Sequence, residues 1–235
     1  QVSSNKLFCN CASELLDKKP DFEVKRYLRA VKSEIGEGDK VAEFEMSKRK
    51  YAIYQGYKKE TCLVELDDEP PHLINQTALK SVLEVGLLLN CKMLKNIQVM
   101  RKQVIDLSNT SGFQRTVLVA TDGYFNLNGK KIGIATICLE EDAARRISDN
   151  KDFTIFRLDR LGIPLIEITT KPDISTAEEA KEAAAFLGML IKSTGKFKSG
   201  IGTIRQDVNL SVNGNSRIEL KGVQELDFMP QIIRL

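Results

Sequence analysis

The period of the apolar positions changes twice along the 235-residue chain. Between 76 and 91, Leu79, Val82, Leu83, Gly86, Leu87 and Asn90 recur at spacings of three and four, which predicts an amphipathic helix. From 97 to 139 that pattern gives way to β-prone stretches at 97–105, 113–121 and 132–139, with Asp122-Gly123 and Asn128-Gly129 read as the turns. A second helix is predicted over 175–194. Ser175 with Glu178, or Thr176 with Glu179, makes a capping box, and Gly195 suits a left-handed cap. Its apolar stripe is Ala180, Ala183, Ala184, Leu187, Leu190 and Ile191. Residues 17–60 mix helix and strand signals around Tyr27, Phe44, Tyr51, Tyr54 and Tyr57, and Pro70-Pro71 forces an extended break. Strands in sequence-local groups with helices between them predict an α+β fold on a largely antiparallel sheet. No repeat or linker divides the chain, so 1–235 reads as one domain.

The sharpest local pattern lies in 203–223. In Thr203–Val212, Arg205, Asp207, Asn209 and Ser211 alternate with Ile204, Val208, Leu210 and Val212. In Arg217–Val223, Arg217, Glu219 and Lys221 alternate with Ile218 and Leu220. A two-residue Asn213-Gly214 loop would mix polar and apolar residues on each face, because a one-residue slip flips every side chain. A three-residue Asn213-Gly214-Asn215 loop sorts the faces. It pairs Ser211 with Arg217, Asn209 with Glu219 and Asp207 with Lys221, and sets Leu210 against Ile218 and Val208 against Leu220. Such a hairpin is either a solvated outer face or a floor of carboxylates and cations suited to a metal–nucleotide site.

Composition narrows the function class. Thirty-five basic against 32 acidic side chains leave a net charge of +3, too little for a dedicated nucleic-acid clamp, so RNA contact is expected to be local or shared. No run of about 18 apolar residues exists to span a bilayer. Five cysteines fit a reducing, cytoplasmic setting better than a disulfide framework. The chain starts Gln1-Val2 without Met, and a helix entered at Met229-Pro230 breaks off after Arg234-Leu235, so a fragment of a longer protein is expected.

Two further acidic stretches stand out. Glu140-Glu141-Asp142 follows a predicted strand and is either a helix N-terminus or a cluster of ligands. Glu167 interrupts the apolar run Leu161–Ile168, so it sits at a sheet rim or faces a polar cavity. Cys9-Asn10-Cys11 has metal-ligand spacing that Cys62 and His72 could complete, but without a second tight pair zinc is not expected. With His72, which follows two prolines, the only histidine, a Ser-His-Asp or Cys-His hydrolase is not expected. Gly195–Gly202 is Gly- and Lys-rich yet lacks the Walker A order. Ser108–Gly112 is a polar turn first and a ligand loop second.

Several blocks in order resemble one family: Ile105-Asp106 through Ser108-Asn109-Thr110-Ser111-Gly112-Phe113-Gln114-Arg115-Thr116; Cys138-Leu139-Glu140-Glu141-Asp142-Ala143-Ala144-Arg145; Leu158-Asp159-Arg160-Leu161-Gly162-Ile163-Pro164-Leu165-Ile166-Glu167-Ile168; and Gly202-Thr203-Ile204-Arg205-Gln206-Asp207-Val208-Asn209. Together they look like the B/E subunit family of tRNA-dependent amidotransferases. Leu7-Phe8-Cys9-Asn10-Cys11, the Ser108–Arg115 block and Lys221-Gly222-Val223-Gln224-Glu225-Leu226 resemble its archaeal E branch more than its bacterial B branch.

The resemblance implies a glutamine synthetase-like catalytic cradle that uses ATP and Mg²⁺ to phosphorylate the γ-carboxylate of glutamate carried by tRNA(Gln), which ammonia then amidates. It implies a partner, an asparaginase-like D subunit, as the ammonia source. By match to the family's blocks, Glu219 and one of Glu140 and Glu141 are expected as metal ligands, and Arg205, Lys221 and Arg115 as phosphate contacts. Asp207 is expected to orient Lys221 or a metal-bound water, with Glu167 and Asp159 as second-tier catalytic candidates. The family also carries a Gly-Leu-Glu-Ile-His-type segment just upstream, so this chain alone is expected to be inactive. A non-catalytic RNA-binding or assembly module, or a B-type enzyme, stays open as the alternative. The catalytic reading requires Glu140 or Glu141, Arg205 and Glu219 to share one hollow.

Overall fold

The computed structural model describes residues 1–28, 40–48, 50–200, 202–212 and 214–234. Parts of the 17–60 stretch, and Ile201 and Asn213 of two loops singled out above, lie outside these.

The fold is α+β, built on two sheets and a small hairpin. The first sheet has the order β1-β2-β8-β7, from β1 (Phe22–Tyr27), β2 (Tyr51–Gly56), β7 (Arg145–Asp149) and β8 (Phe153–Arg157). Its β2–β8 pairing is parallel, the one departure among these ladders from the antiparallel expectation. Helix α1 (Lys40–Ser47) precedes β2. The second sheet runs β3-β5-β6-β9, with β3 (Lys92–Met93), β5 (Phe113–Leu127), β6 (Lys130–Glu141) and β9 (Pro164–Thr170); β4 (Val99–Gln103) also pairs with β5. The hairpin is β10 (Val208–Leu210) with β11 (Ile218–Leu220), and a short 3-10 turn leads into α4 (Met229–Ile233).

The long β5–β6 hairpin frames the larger sheet. Asn128 (φ 49°) and Gly129 (φ 82°) make its left-handed turn, as their sequence predicts. Asp122-Gly123 is no turn: it lies inside β5, where Thr121 pairs with Thr136 and Gly123 with Ile134. Glycine is required there for another reason. A Cβ at 123 would stand 2.5 Å from the Leu89 carbonyl oxygen at the end of α2 (Gln76–Leu88).

One face of this sheet is covered by α2 and α3 (Ala177–Ser193). Ala78, Val82, Val85 and Leu89 pack on Val117, Val119, Ile132, Ile134, Ile137 and Leu139, and Phe125 stacks on Phe186 at 4.7 Å. Both helices start on side-chain caps. Asn75 accepts from the Ala78 N–H at 3.0 Å, and Thr176 accepts from the Glu179 N–H at 3.1 Å. Glu179 reaches back to the Ser175 N–H at 2.8 Å, and Gly195 takes φ 65° past the C-terminus of α3. A second core under the four-stranded sheet gathers Ala52, Tyr54, Ala144, Phe156, Leu158 and Leu161.

The amino-terminal segment is stitched between these parts by Val2 N–H to Pro164 O (3.0 Å) and Leu7 N–H to Gly162 O (2.8 Å). Fully buried Lys6 donates to the Leu158 carbonyl at 2.9 Å and forms an ion pair with buried Glu65. No helix among the described residues is long and apolar enough to cross a membrane.

Candidate functional site

Strand β6 continues as far as Glu141, so the acidic run is extended chain and not a helix start. Extended backbone sends neighbouring side chains to opposite faces. Glu140 therefore points to the face of the larger sheet that no helix covers, and Glu141 to the helix-packed side. On the open face Glu140 stands across from Thr116, whose hydroxyl donates to it at 3.0 Å. Lys102 of β4 places its ammonium 2.9 Å from the same carboxylate oxygen. Glu167 of β9 pairs with Cys138, two residues before Glu140, and so shares that face.

The hairpin segment acts electrostatically on this face. Partial burial, then Glu140, pushes the Glu167 carboxyl above its ordinary value, with Asp207 and Glu219 adding to the effect and Lys102 opposing it. The Cys138 thiol between them is pushed up to about 11 by burial and by Glu140 and Glu167. Lys102 is held above its usual value: burial works against its charge, but the bond to Glu140 outweighs that. The β10–β11 ladder has the expected register, Val208 with Leu220, Asn209 with Glu219 and Leu210 with Ile218. Asp207 and Lys221 fall just beyond it, and Lys221 pairs instead with Glu219 at 3.3 Å. Glu140 and Glu167 of the sheet thus act on Lys102, and Asp207 and Glu219 of the hairpin segment act on Glu167.

The other expected residues go elsewhere. Glu141 is buried against Arg115, accepting its backbone N–H at 3.0 Å and its guanidinium at 3.2 Å. Burial raises the Glu141 carboxyl despite that pairing, and Arg115 in turn lies between the rings of Phe8 and Phe113. Arg205 donates to buried Asp142 at 2.8 Å, where Gln1 also donates, so its guanidinium already holds an anion. Asp159 is wholly buried and takes N–H groups from Leu16 and Arg160 and the guanidinium of Arg145. That is a clamp on the amino-terminal segment. Sequence reasoning missed Lys102; a lysine inside a predicted strand, one strand away from an acidic run, was the available signal.

A second cluster forms away from this face. Cys9, Cys11, Cys62 and Glu65 bring their ligand atoms within 4.8 Å of one another. The fourth member is Glu65 and not His72, which pairs with Glu69 at 2.9 Å. Glu65 also accepts the Cys62 N–H at 2.7 Å and the Cys9 thiol at 3.7 Å. Spacing alone pointed away from such a set because two of its members come from a segment about 50 residues further on. Three thiols and a carboxylate are a donor set suited to a soft divalent ion.

On the open face the donors are all carboxylate oxygens, which suit a hard cation such as Mg²⁺, while Lys102 suits a phosphate oxygen. Such a face can neutralise an anion and orient it.

A family model described as the GatB/GatE catalytic domain matches residues 1–235. The E subunit of glutamyl-tRNA(Gln) amidotransferase from Methanococcus maripaludis (strain C7) is 54% identical over 231 residues, covering 98% of this chain and 37% of the relative. The E subunit from Methanocaldococcus jannaschii is 52% identical over the same shares, and that from Archaeoglobus fulgidus 50% identical over 98% of this chain and 38% of its own. The chain thus spans well under half the length of these relatives. Matched from end to end by the family model and about half identical to proteins of one name, the chain belongs to the GatB/GatE catalytic-domain family.

Proposed function

We propose that this domain is the catalytic part of a tRNA-dependent amidotransferase that activates the γ-carboxylate of glutamate esterified to tRNA(Gln) and amidates it. The observation that supports the reading is the placement of Glu140 and Glu167 beside Lys102 on one sheet face, with Asp207 and Glu219 near enough to act on Glu167. In the first step a γ-carboxylate oxygen attacks the terminal phosphorus of ATP, and ADP leaves. In the second, the ammonia nitrogen adds to the γ-carbon of the acyl phosphate, inorganic phosphate leaves, and a proton is lost.

The first step brings two anions together, so its barrier is largely electrostatic. Mg²⁺, held by Glu140 and Glu219 with Glu167 or Asp207, would supply the charge that lets the phosphate oxygens approach. Lys102 offers a second positive charge on the same face. Lys221 extends from the exposed hairpin towards the same phosphates, and Arg205 would reach them by exchanging Asp142 for a phosphate. Arg115, locked by Glu141, holds the end of β6 and thereby the orientation of Glu140. Glu167, its carboxyl raised, is suited to take the proton that ammonia gives up. Ammonia would come from a partner, the asparaginase-like D subunit that the family resemblance implies.

The test uses the full-length protein with ammonium chloride as the nitrogen source, which removes dependence on the partner. Glu219→Gln is expected to lower ATP-dependent formation of Gln-tRNA by about 100-fold or more, with an unchanged melting curve. Full activity in that variant would remove Glu219 from the mechanism.

A further inference from the structure

Opposite its core, the four-stranded sheet presents a partly exposed face. Its inner side chains, among them Ala52, Tyr54 and Phe156, enter the second core. On the outer side three aromatic residues line up across three adjacent strands, because Tyr27 pairs with Tyr51 and Tyr51 with Phe153. Their ring centroids are 5.6 and 5.4 Å apart, and Tyr27 is 55% exposed. The Lys25 ammonium rests 3.7 Å from the centre of the Tyr51 ring and 5.2 Å from that of Tyr27. Among the described residues Lys25 has no carboxylate partner.

We propose that this face binds an unpaired stretch of the substrate tRNA, with a base stacking on the exposed Tyr27 ring, which Tyr51 and Phe153 back, and a phosphate meeting Lys25. The inference rests on the amidotransferase reading for the identity of the RNA. An exposed sheet whose aromatic side chains accept bases, with cations beside them for the backbone, is a recurrent solution for single-stranded RNA. Two observations favour RNA over a protein partner. The centre of a protein–protein patch is depleted of charge, yet here an ammonium sits directly over the rings. Residues 17–60, which supply β1 and β2, carry twelve Lys and Arg against nine Asp and Glu, an excess as large as that of the whole chain. Nearby acids are already engaged: Glu23 accepts from Gln55 at 2.8 Å, and Asp149 is paired with Lys50.

The experiment measures binding of labelled tRNA(Gln) transcript to the full-length protein by fluorescence anisotropy across a salt series, beside steady-state kinetics with ammonium chloride. Tyr27→Ala is expected to raise Kd about tenfold, and KM for charged tRNA by the same factor, with kcat unchanged. Tyr27→Phe keeps the ring and stays within about twofold of the parent. Lys25→Gln lowers the slope of log affinity against log salt by about one. Unchanged Kd in both Tyr27→Ala and Lys25→Gln overturns the proposal. So does unchanged Kd accompanied by loss of a heteromeric complex on gel filtration, which assigns the face to a protein. A parent protein that binds tRNA through Tyr27 yet makes no Gln-tRNA sinks the amidotransferase reading and leaves this surface standing.

Discussion

Glu140 and Glu141 are neighbours on one strand and meet opposite fates. Glu140 faces the side without a helix and, though itself buried, is satisfied by the Thr116 hydroxyl and the half-exposed Lys102 ammonium. Glu141 faces the closed side and is locked to Arg115, with Phe8 and Phe113 against the guanidinium. The pleat gives two identical buried side chains different partners. Glu140 is paired with a lysine that is half exposed, and it can exchange that partner for a ligand. Glu141 has its partner fixed by packing, and separating the pair would strand a charge away from water.

The largest effect is expected from breaking the closed pair. Arg115→Ala should cost about 3–5 kcal/mol in chemical denaturation, because Glu141 is left buried and uncompensated. The double substitution Arg115→Met with Glu141→Leu should recover most of that loss, and failure to recover would mean that Glu141 does more than balance a charge. On the open side the effect moves from stability to rate. Glu140→Gln should leave the denaturation midpoint nearly unchanged while lowering ATP-dependent amidation in the full-length protein by about 100-fold. Equal stability losses from Glu140→Gln and Arg115→Ala would erase the distinction between the faces.

The smallest effect concerns Glu167 and has a defined sign. Its folded pKa lies above the ordinary 4.5, so the folded state holds the proton more tightly than the unfolded state. Its contribution to stability is complete below pH 4.5 and is lost as the pH rises through the raised value. Glu167→Gln should therefore melt above the parent at about pH 7 and with it at about pH 4, and the same melt at both pH values would show that the carboxylates do not repel one another.

Elements specified by neighbours in sequence were legible. The register of β10 and β11 followed from sorting Asn209 and Glu219 away from Leu210 and Ile218, and the Thr176–Glu179 cap and the Asn128-Gly129 turn came from their own residues. Asp122-Gly123 was misleading because its glycine answers to a distant constraint, the Leu89 carbonyl of α2. The parallel β2–β8 pairing has no local signature either. At the site, the acids of the open face could be named in advance, but not the split between Glu140 and Glu141, which depends on β6 reaching beyond Cys138. Neither the Lys102 contact nor the capture of Arg205 by Asp142 could be read from spacing, since each joins segments dozens of residues apart.

The stitching of the amino-terminal segment has a consequence for synthesis. Lys6 finds its buried partners at Leu158 and Glu65, and Val2 and Leu7 hydrogen-bond to Pro164 and Gly162. While the chain emerges from the ribosome, Val2, Lys6 and Leu7 therefore wait for partners made roughly 150 residues later before they can settle. Contacts of such long sequence separation slow folding. During that wait the nascent chain would carry an unsheltered Leu7-Phe8 pair, a natural handle for a chaperone.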